Sequence, residues 1–289
     1  MTTYKGIDVS KWQGDIDWTR VKNSGVQFAM IRATFGWGND QVDARFIKNY
    51  EGAKKVGVAV GAYHYAYAKT PEDAVKEAEH CHSVLKGKKF EYPIAYDMEE
   101  SSIAALGKEK ISEIAKAFCE KMESYGYYVC IYANLYWLNN YFTEEIFKKY
   151  DIWLAQWIEK PTFTRPYGIW QKTSKGKVDG IGTNVDLDES YKNYPSIMKY
   201  NGLNGYGGTE PVEPPKRGFK AGQKVLLKDA KLYSSATSKR VANHLSGTYY
   251  IYDGIYFDGR YRITNSITNV ERKSIGKYVT GFVERDELR

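Results

Sequence analysis

Carboxylates at the ends of apolar segments are the residues in this chain best placed to do chemistry. Asp97-Met98-Glu99 closes the strand-like run 92–96. In a strand, residues two apart face the same side. Asp97 and Glu99 would then point into one cavity, with Met98 turned away. Crowded, partly buried negative charges keep a proton on one member of such a pair. That leaves one acid and one base at neutral pH, which is what glycoside cleavage requires. Two further apolar segments carry acids: 6–9 ends at Asp8, and 184–188 offers Asp186 and Asp188. An Asp-x-Glu tripeptide by itself is common on solvated surfaces. Asp8 could instead cap the turn at 10–14, and Asp188 could open the turn at 189–190.

These acids need elements to position them. Segments 6–9, 28–32, 58–65, 94–97, 127–132, 152–157 and 168–171 are short and nearly continuous in apolar or aromatic residues. Strands covered on both faces read this way. Helical spacing falls between them. Val42, Phe46, Tyr50 and Ala53 form one stripe; Ala74, Ala78, Cys81 and Leu85 form a second, opened by Thr70-Pro71. Ile111, Ile114, Ala115, Phe118 and Met122 form a third. Strand-helix alternation predicts a parallel sheet. Seven or eight strands in about 200 residues predict a closed α/β barrel, with the acids at the carboxyl ends of its strands. After Trp153 the strands follow too closely for full helices. The expectation is an irregular parallel β/α barrel whose late helices are reduced to loops.

Residues 201–215 are rich in glycine and proline, the composition of a linker. They separate an expected catalytic domain, 1–200, from a second domain, 216–289. Beyond Lys216 the chain has short β-rich runs split by turn residues, predicting a small all-β barrel. Charge divides at the same place. Residues 216–289 hold 15 Lys and Arg against 7 Asp and Glu, while residues 1–215 hold 27 against 28. A positive domain suits an anionic polymer. Nucleic acid is excluded as its partner for want of a recognition helix or an RNA-binding signature.

Other chemistries find little support. No run of 18 apolar residues predicts a membrane span. Residues 1–6 lack the charged start and apolar stretch of a signal peptide, so synthesis in the cytoplasm and exit by another route are expected. Cys81, Cys119 and Cys130 are too scattered for a disulfide framework or a zinc site. His80 and His82, two apart on a helix, do not share a face. No metal and no cofactor is expected. The 26 tyrosines and 7 tryptophans stand out, because flat amphipathic rings suit sugar surfaces. Tyr63, Tyr65, Tyr132 and Trp153 lie on strands from which they could face a cleft, although a ring on a buried strand is more often core. His64 alternates with its tyrosine neighbours and should face away. Trp12 should pack locally.

Gly6-Ile7-Asp8-Val9-Ser10-Lys11-Trp12-Gln13-Gly14 resembles the opening of the glycoside hydrolase family 25 lysozymes. Gly61-Ala62-Tyr63-His64-Tyr65, Tyr96-Asp97-Met98-Glu99, Ile131-Tyr132-Ala133, Trp153 to Trp157, Trp170-Gln171 and Val185-Asp186-Leu187-Asp188 continue the likeness in order, over roughly residues 4 to 190. The resemblance implies an irregular β/α barrel that hydrolyses the bond between N-acetylmuramic acid and N-acetylglucosamine in peptidoglycan. It implies Glu99 as the general acid and Asp97 as its partner, stabilising a cation-like sugar or orienting the substrate's acetamido group. Asp8 and Asp186 would complete the acidic rim. As substrate contacts, the ring argument above offers Tyr63, Tyr65, Tyr132 and Trp153, and Asp188 of the closing motif is expected to join them. One departure stands out: many members carry a glutamate after the segment matching Ala33-Thr34, where this chain has Phe35-Gly36-Trp37.

The tail, more loosely, resembles a bacterial SH3-like wall-binding domain, at 220–225, 246–250 and 260–263. Together the two likenesses imply a bacteriophage endolysin, made in the host cytoplasm and acting on Gram-positive walls after release by a separate route. Peptidoglycan and anionic wall polymers would be its partners, without membrane insertion. Self-association through the C-terminal domain is left open, as is internal initiation at Met198, just before the linker. A host autolysin, a chitinase-like glycosidase and a non-catalytic wall-binding protein are the alternatives.

Overall fold

The computed structural model describes residues 3–207, 219–235, 238, 240–257, 260–270 and 279–288. Most of the expected linker, 208–215, and the first residues of the expected second domain lie outside them. The chain forms two compact units, Met1–Gly208 and Thr209–Arg289.

The first unit is a closed barrel of eight strands in sequence order. Its strands are β1 (Tyr4–Val9), β2 (Phe28–Phe35), β3 (Ala59–Tyr65), β4 (Ile94–Asp97), β5 (Val129–Asn134), β6 (Asp151–Ala155), β7 (Ile169–Gly176) and β8 (Val185–Ser190). The helices between them are α1 (Trp18–Asn23), α2 (Phe46–Lys55), α3 (Pro71–Leu85), α4 (Gly107–Ser124), α5 (Leu135–Asn140) and α6 (Glu144–Lys149). No helix lies between β6 and β7 or between β7 and β8, as strand spacing predicts. The start of α3 follows its sequence signal: Thr70 Oγ1 accepts from Asp73 N at 3.2 Å, and Pro71 occupies the first turn. Among the described residues, no helix is long and apolar enough to cross a membrane.

Strands β1 to β7 run parallel, but β8 pairs antiparallel with both β7 and β1. The barrel is therefore mixed, not fully parallel. The cause is the short connection after β7. A parallel return needs a crossover of a dozen or more residues, and the chain between Gly176 and Val185 is shorter than that.

Strand alternation sorts side chains into two layers. Ile7, Val9, Ala29, Ile31, Ala62, Tyr96 and Ile131 face outward and pack under the helices, among them Phe118 of α4 and Cys81 of α3. Phe28, Met30, Tyr63, Ala95, Tyr132, Trp153 and Ile169 face inward. Toward the bottom of the barrel Phe28 stacks on Tyr92 with ring centroids 4.1 Å apart. Glycines make room for this filling: a Cβ on Gly6 would lie 2.2 Å from the Phe28 ring, and one on Gly61 would lie 2.4 Å from Met30 Sδ. All three cysteines are buried and free. Helix α7 (Tyr194–Asn201) adds Tyr194 and Met198 to the inner cluster. Beyond it, Asn204 is buried and donates from Nδ2 to Tyr92 O at 2.8 Å, so the chain up to this point is anchored to the barrel.

The second unit closes four strands, β9 (Lys224–Tyr233), β10 (Val241–Phe257), β11 (Arg260–Thr264) and β12 (Gly281–Glu284), into a small all-β barrel. Val225, Leu227, Ile251, Tyr261, Ile263 and Val283 fill its core. Period-two alternation along β9 leaves Lys224, Leu226 and Lys228 exposed. The Arg260 guanidinium stacks 3.3 Å above the Tyr233 ring.

Candidate active site

A cavity of about 400 Å³ opens at the barrel end where β1 to β7 finish. Asp8, Asp97, Glu99 and Asp186 all line it, together with Tyr63, Tyr65, Tyr132 and Trp153. Asp8 is the fifth residue of β1 and lies in register with Asp186 of β8. The reversal of β8 brings Asp186 to this rim from the beginning of its strand, not from its end. Asp97 is the last residue of β4, and Glu99 lies just past it. Met98 is fully buried in the outer layer, and its N–H donates to Tyr132 O at 2.9 Å. The spacing argument therefore holds: the two acids share the cavity and Met98 does not. Asp8 does not cap the following turn. Ser10 does so, accepting from Trp12 N while Gln13 Oε1 accepts from Ser10 N.

Electrostatics set the acids' protonation. Burial pushes Asp97 well above the ordinary carboxylate range, the charge of Glu99 adds to this, and the Arg32 guanidinium opposes it. Its Oδ1 is buried without a hydrogen-bond partner. Glu99 is raised by partial burial and then by the negative charges of Asp186 and Glu100, while the Tyr132 hydroxyl holds it down. Asp186 is raised by burial. A carboxyl whose proton is favoured by burial and neighbouring charge, half-buried on a cavity wall, can deliver that proton to a leaving oxygen.

The aromatic residues divide by exposure. Tyr132 donates to Gln171 Oε1 at 3.1 Å, and its ring meets Trp153 edge-on with centroids 4.6 Å apart. Trp153 is 1% exposed, so it offers the cavity little more than an edge. The open rings are Trp12, 70% exposed, and Trp157, 63% exposed. Both line the cavity, so Trp12 does not pack locally as expected. Trp157 is anchored by its Nε1, which donates to Gln171 Oε1 at 2.9 Å.

Asp188, expected as a substrate contact, does not line the cavity. It lies beneath the floor, 2% exposed, and accepts from Trp153 Nε1 at 2.8 Å. His64 faces away, as alternation predicts. It is buried in the outer layer with Nδ1 2.7 Å from Thr34 Oγ1.

Sequence reasoning missed Arg32 and passed over Gln171 as a site residue. Arg32 Nε donates to Asp43 Oδ2 at 2.8 Å, and Asp43 also accepts from Lys11 N and Arg45 N. The guanidinium is thus held against the cavity wall by a buried carboxylate. Gln171 Nε2 donates to Asp8 Oδ2 at 2.8 Å. Parity would have found both: Arg32 is two along from inward-facing Met30, and Gln171 two along from inward-facing Ile169. Among the described residues, no group of three or more His, Cys, Asp or Glu side chains is placed to hold a metal ion.

A β/α barrel with paired carboxyls, both raised above their ordinary range, in an aromatic-walled rim cavity has the form of a glycosidase. Comparison narrows this further. The sequence profile of glycosyl hydrolases family 25 matches residues 7–181, and the chain belongs to that family. An autolytic lysozyme of Clostridium acetobutylicum is 32% identical over 191 residues, which cover 64% of this chain and 55% of that protein; the chain spans about half of that relative's length. Among solved structures, a family 25 glycosyl hydrolase from Bacillus anthracis superposes with a TM-score of 0.60 at 29% identity, covering 68% of this chain and 92% of that one. The CTP1L endolysin gives a TM-score of 0.61 at 25% identity, covering 68% and 70%.

Proposed function

We propose that this protein is a muramidase that hydrolyses the N-acetylmuramic acid–N-acetylglucosamine bond of Gram-positive peptidoglycan. The observation that carries the reading is Glu99, half-buried at the cavity wall with its proton favoured by burial and by Asp186. In this reading Glu99 protonates the glycosidic oxygen as the bond breaks. Asp97, next to it and short of a hydrogen-bond partner, orients the acetamido group or stabilises the cation-like sugar. Asp8 and Asp186 complete the rim, and Tyr63, Tyr65, Tyr132, Trp12 and Trp157 supply ring faces and hydroxyls to the glycan. The autolytic lysozyme and the endolysin among its relatives support a wall substrate. The small β-barrel unit serves as an SH3-like module for an anionic wall polymer, with phage-mediated lysis as the biological setting.

The test is clearing of purified Gram-positive walls. Glu99→Gln should lower the rate by about two to four orders of magnitude, the usual worth of a positioned acid, while full-length protein still sediments with walls. Clearing at the parent rate would reject Glu99 as the acid. Mass analysis of the released fragments should find muramic acid at the reducing end. Fragments ending in N-acetylglucosamine would reject the bond assignment.

A further inference from the structure

Below the cavity floor lies an acid, Asp188, that the reaction proposed above leaves unused. Asp188 Oδ1 accepts from Trp153 Nε1, but its buried Oδ2 meets no N–H or O–H donor. Its cross-strand partner on β1 is Gly6, which has no side chain, and its partner on β7 is Gln171, whose amide N–H is turned to Asp8. Asp8 is two along from Gly6, on the same face of the sheet. It lies within hydrogen-bonding reach of Asp188. Two ionised carboxylates have no hydrogen to offer each other, so this contact is a hydrogen bond only when one of them carries a proton.

We propose that Asp188 is a positioning residue that shares one proton with Asp8, setting from below the charge and orientation that Asp8 presents at the rim. Burial disfavours two negative charges at this depth. It raises both carboxyls, Asp188 to about 8 and Asp8 well above its usual range. Asp186 on β8 raises both further, and Lys172 on β7 draws Asp188 down. From the other strands Arg32, Tyr63, Asp97, Glu99 and Tyr132 face the same cavity. The pair acts as a single titrating unit that holds on to a proton through neutral pH, and its full ionisation comes only in alkaline solution.

The first test counts protonated carboxyls in the full-length protein at neutral pH, by infrared spectroscopy with 13C-labelled aspartate. Asp188→Asn keeps an oxygen for Trp153 and brings an amide donor to Asp8, so Asp8 should ionise. Asp8→Asn does the converse. Each single variant should lose the same one protonated carboxyl, and the double variant should lose no more. Losses that add in the double variant would overturn the shared proton. This count is independent of hydrolysis, so it stands or falls apart from the muramidase reading on which the kinetic arm rests. In that arm, Asp188→Asn should extend the alkaline limb of kcat/KM to higher pH by about half a unit or more, because one ionisation has been removed. An unmoved limb in an active variant would overturn the positioning role.

Discussion

Asp186 stands opposite Asp8 in the antiparallel pairing of β8 with β1. Two acids from opposite ends of the barrel sequence therefore meet at one point of the rim. Each bears on a different neighbour: Asp186 raises Glu99 across the cavity, and Asp8 is tied to Gln171 and Asp188 on its own side. A single strand reversal thus links the Glu99 side of the cavity to the Asp8 side and to Asp188 beneath it.

The buried acids of the cavity contribute to stability with a pH dependence of defined direction. The folded values of Asp8, Asp97, Glu99, Asp186 and Asp188 all lie above their ordinary values. At these five groups the folded state then binds more protons than the unfolded chain, and the stability they contribute falls as pH rises. What these groups contribute is fully present below about pH 4, the unfolded carboxylate range, and is lost as pH climbs through the folded values. Asp97→Asn removes one such ionisation. Its unfolding midpoint relative to the parent should climb as pH rises from about 4 into the neutral range. A difference that stays constant as pH rises would contradict the assignment for Asp97.

Trp12 is mostly exposed and hangs on a capped turn, so its loss should spare the fold. Trp12→Ala is expected to raise KM for wall glycan by up to roughly tenfold, about 1.4 kcal/mol of ring contact at most. The value of kcat should stay close to that of the parent, and the unfolding midpoint should not move. Steady-state clearing at varied wall concentration checks this. An unchanged KM would remove Trp12 from the sugar platform.

Glu77 of α3 supports the barrel from outside. Fully buried, it accepts from Tyr67 N at 2.7 Å and from Tyr96 OH at 2.5 Å, with His64 Nε2 3.5 Å away. Tyr96 precedes Asp97, so this carboxylate fixes the strand that carries the acid pair. Glu77→Ala strands its donors in the core and should destabilise the barrel by about 3 kcal/mol, as read by denaturant titration. A loss within ~0.5 kcal/mol, as for a surface change, would show that the network has no structural weight.

The surplus of basic residues in the second unit should make wall retention sensitive to salt. Full-length Glu99→Gln protein bound to walls is expected to come off progressively as sodium chloride rises through ~0.1 to 1 M, where screening shortens from about 10 to 3 Å. Sedimentation assays read this directly, and retention indifferent to salt would show that net charge plays no part in recognition.

Much of this site was legible before any coordinates. Period-two alternation put Asp97 and Glu99 on one side and Met98 on the other and sent His64 outward, while for Tyr63 and Tyr132 it left cleft and core both open. Strand-helix alternation predicted the barrel, and crowded spacing after Trp153 predicted its reduced late helices. These properties are local, because the geometry of a strand or a helical turn dictates the face of each residue.

Tertiary structure alone decided the rest. A run such as Val185–Ser190 carries no mark of its direction in the sheet; the short connection from β7 forced it to reverse, and only then did Asp186 meet Asp8. Asp188 bears the same pattern as Asp186, yet one step further down an antiparallel ladder it lies under the floor. The hold of Asp43 on Arg32 and the openness of Trp12 also depend on how distant segments pack. Burial and cross-strand neighbours are properties of the closed barrel, and they set which of these acids keeps its proton.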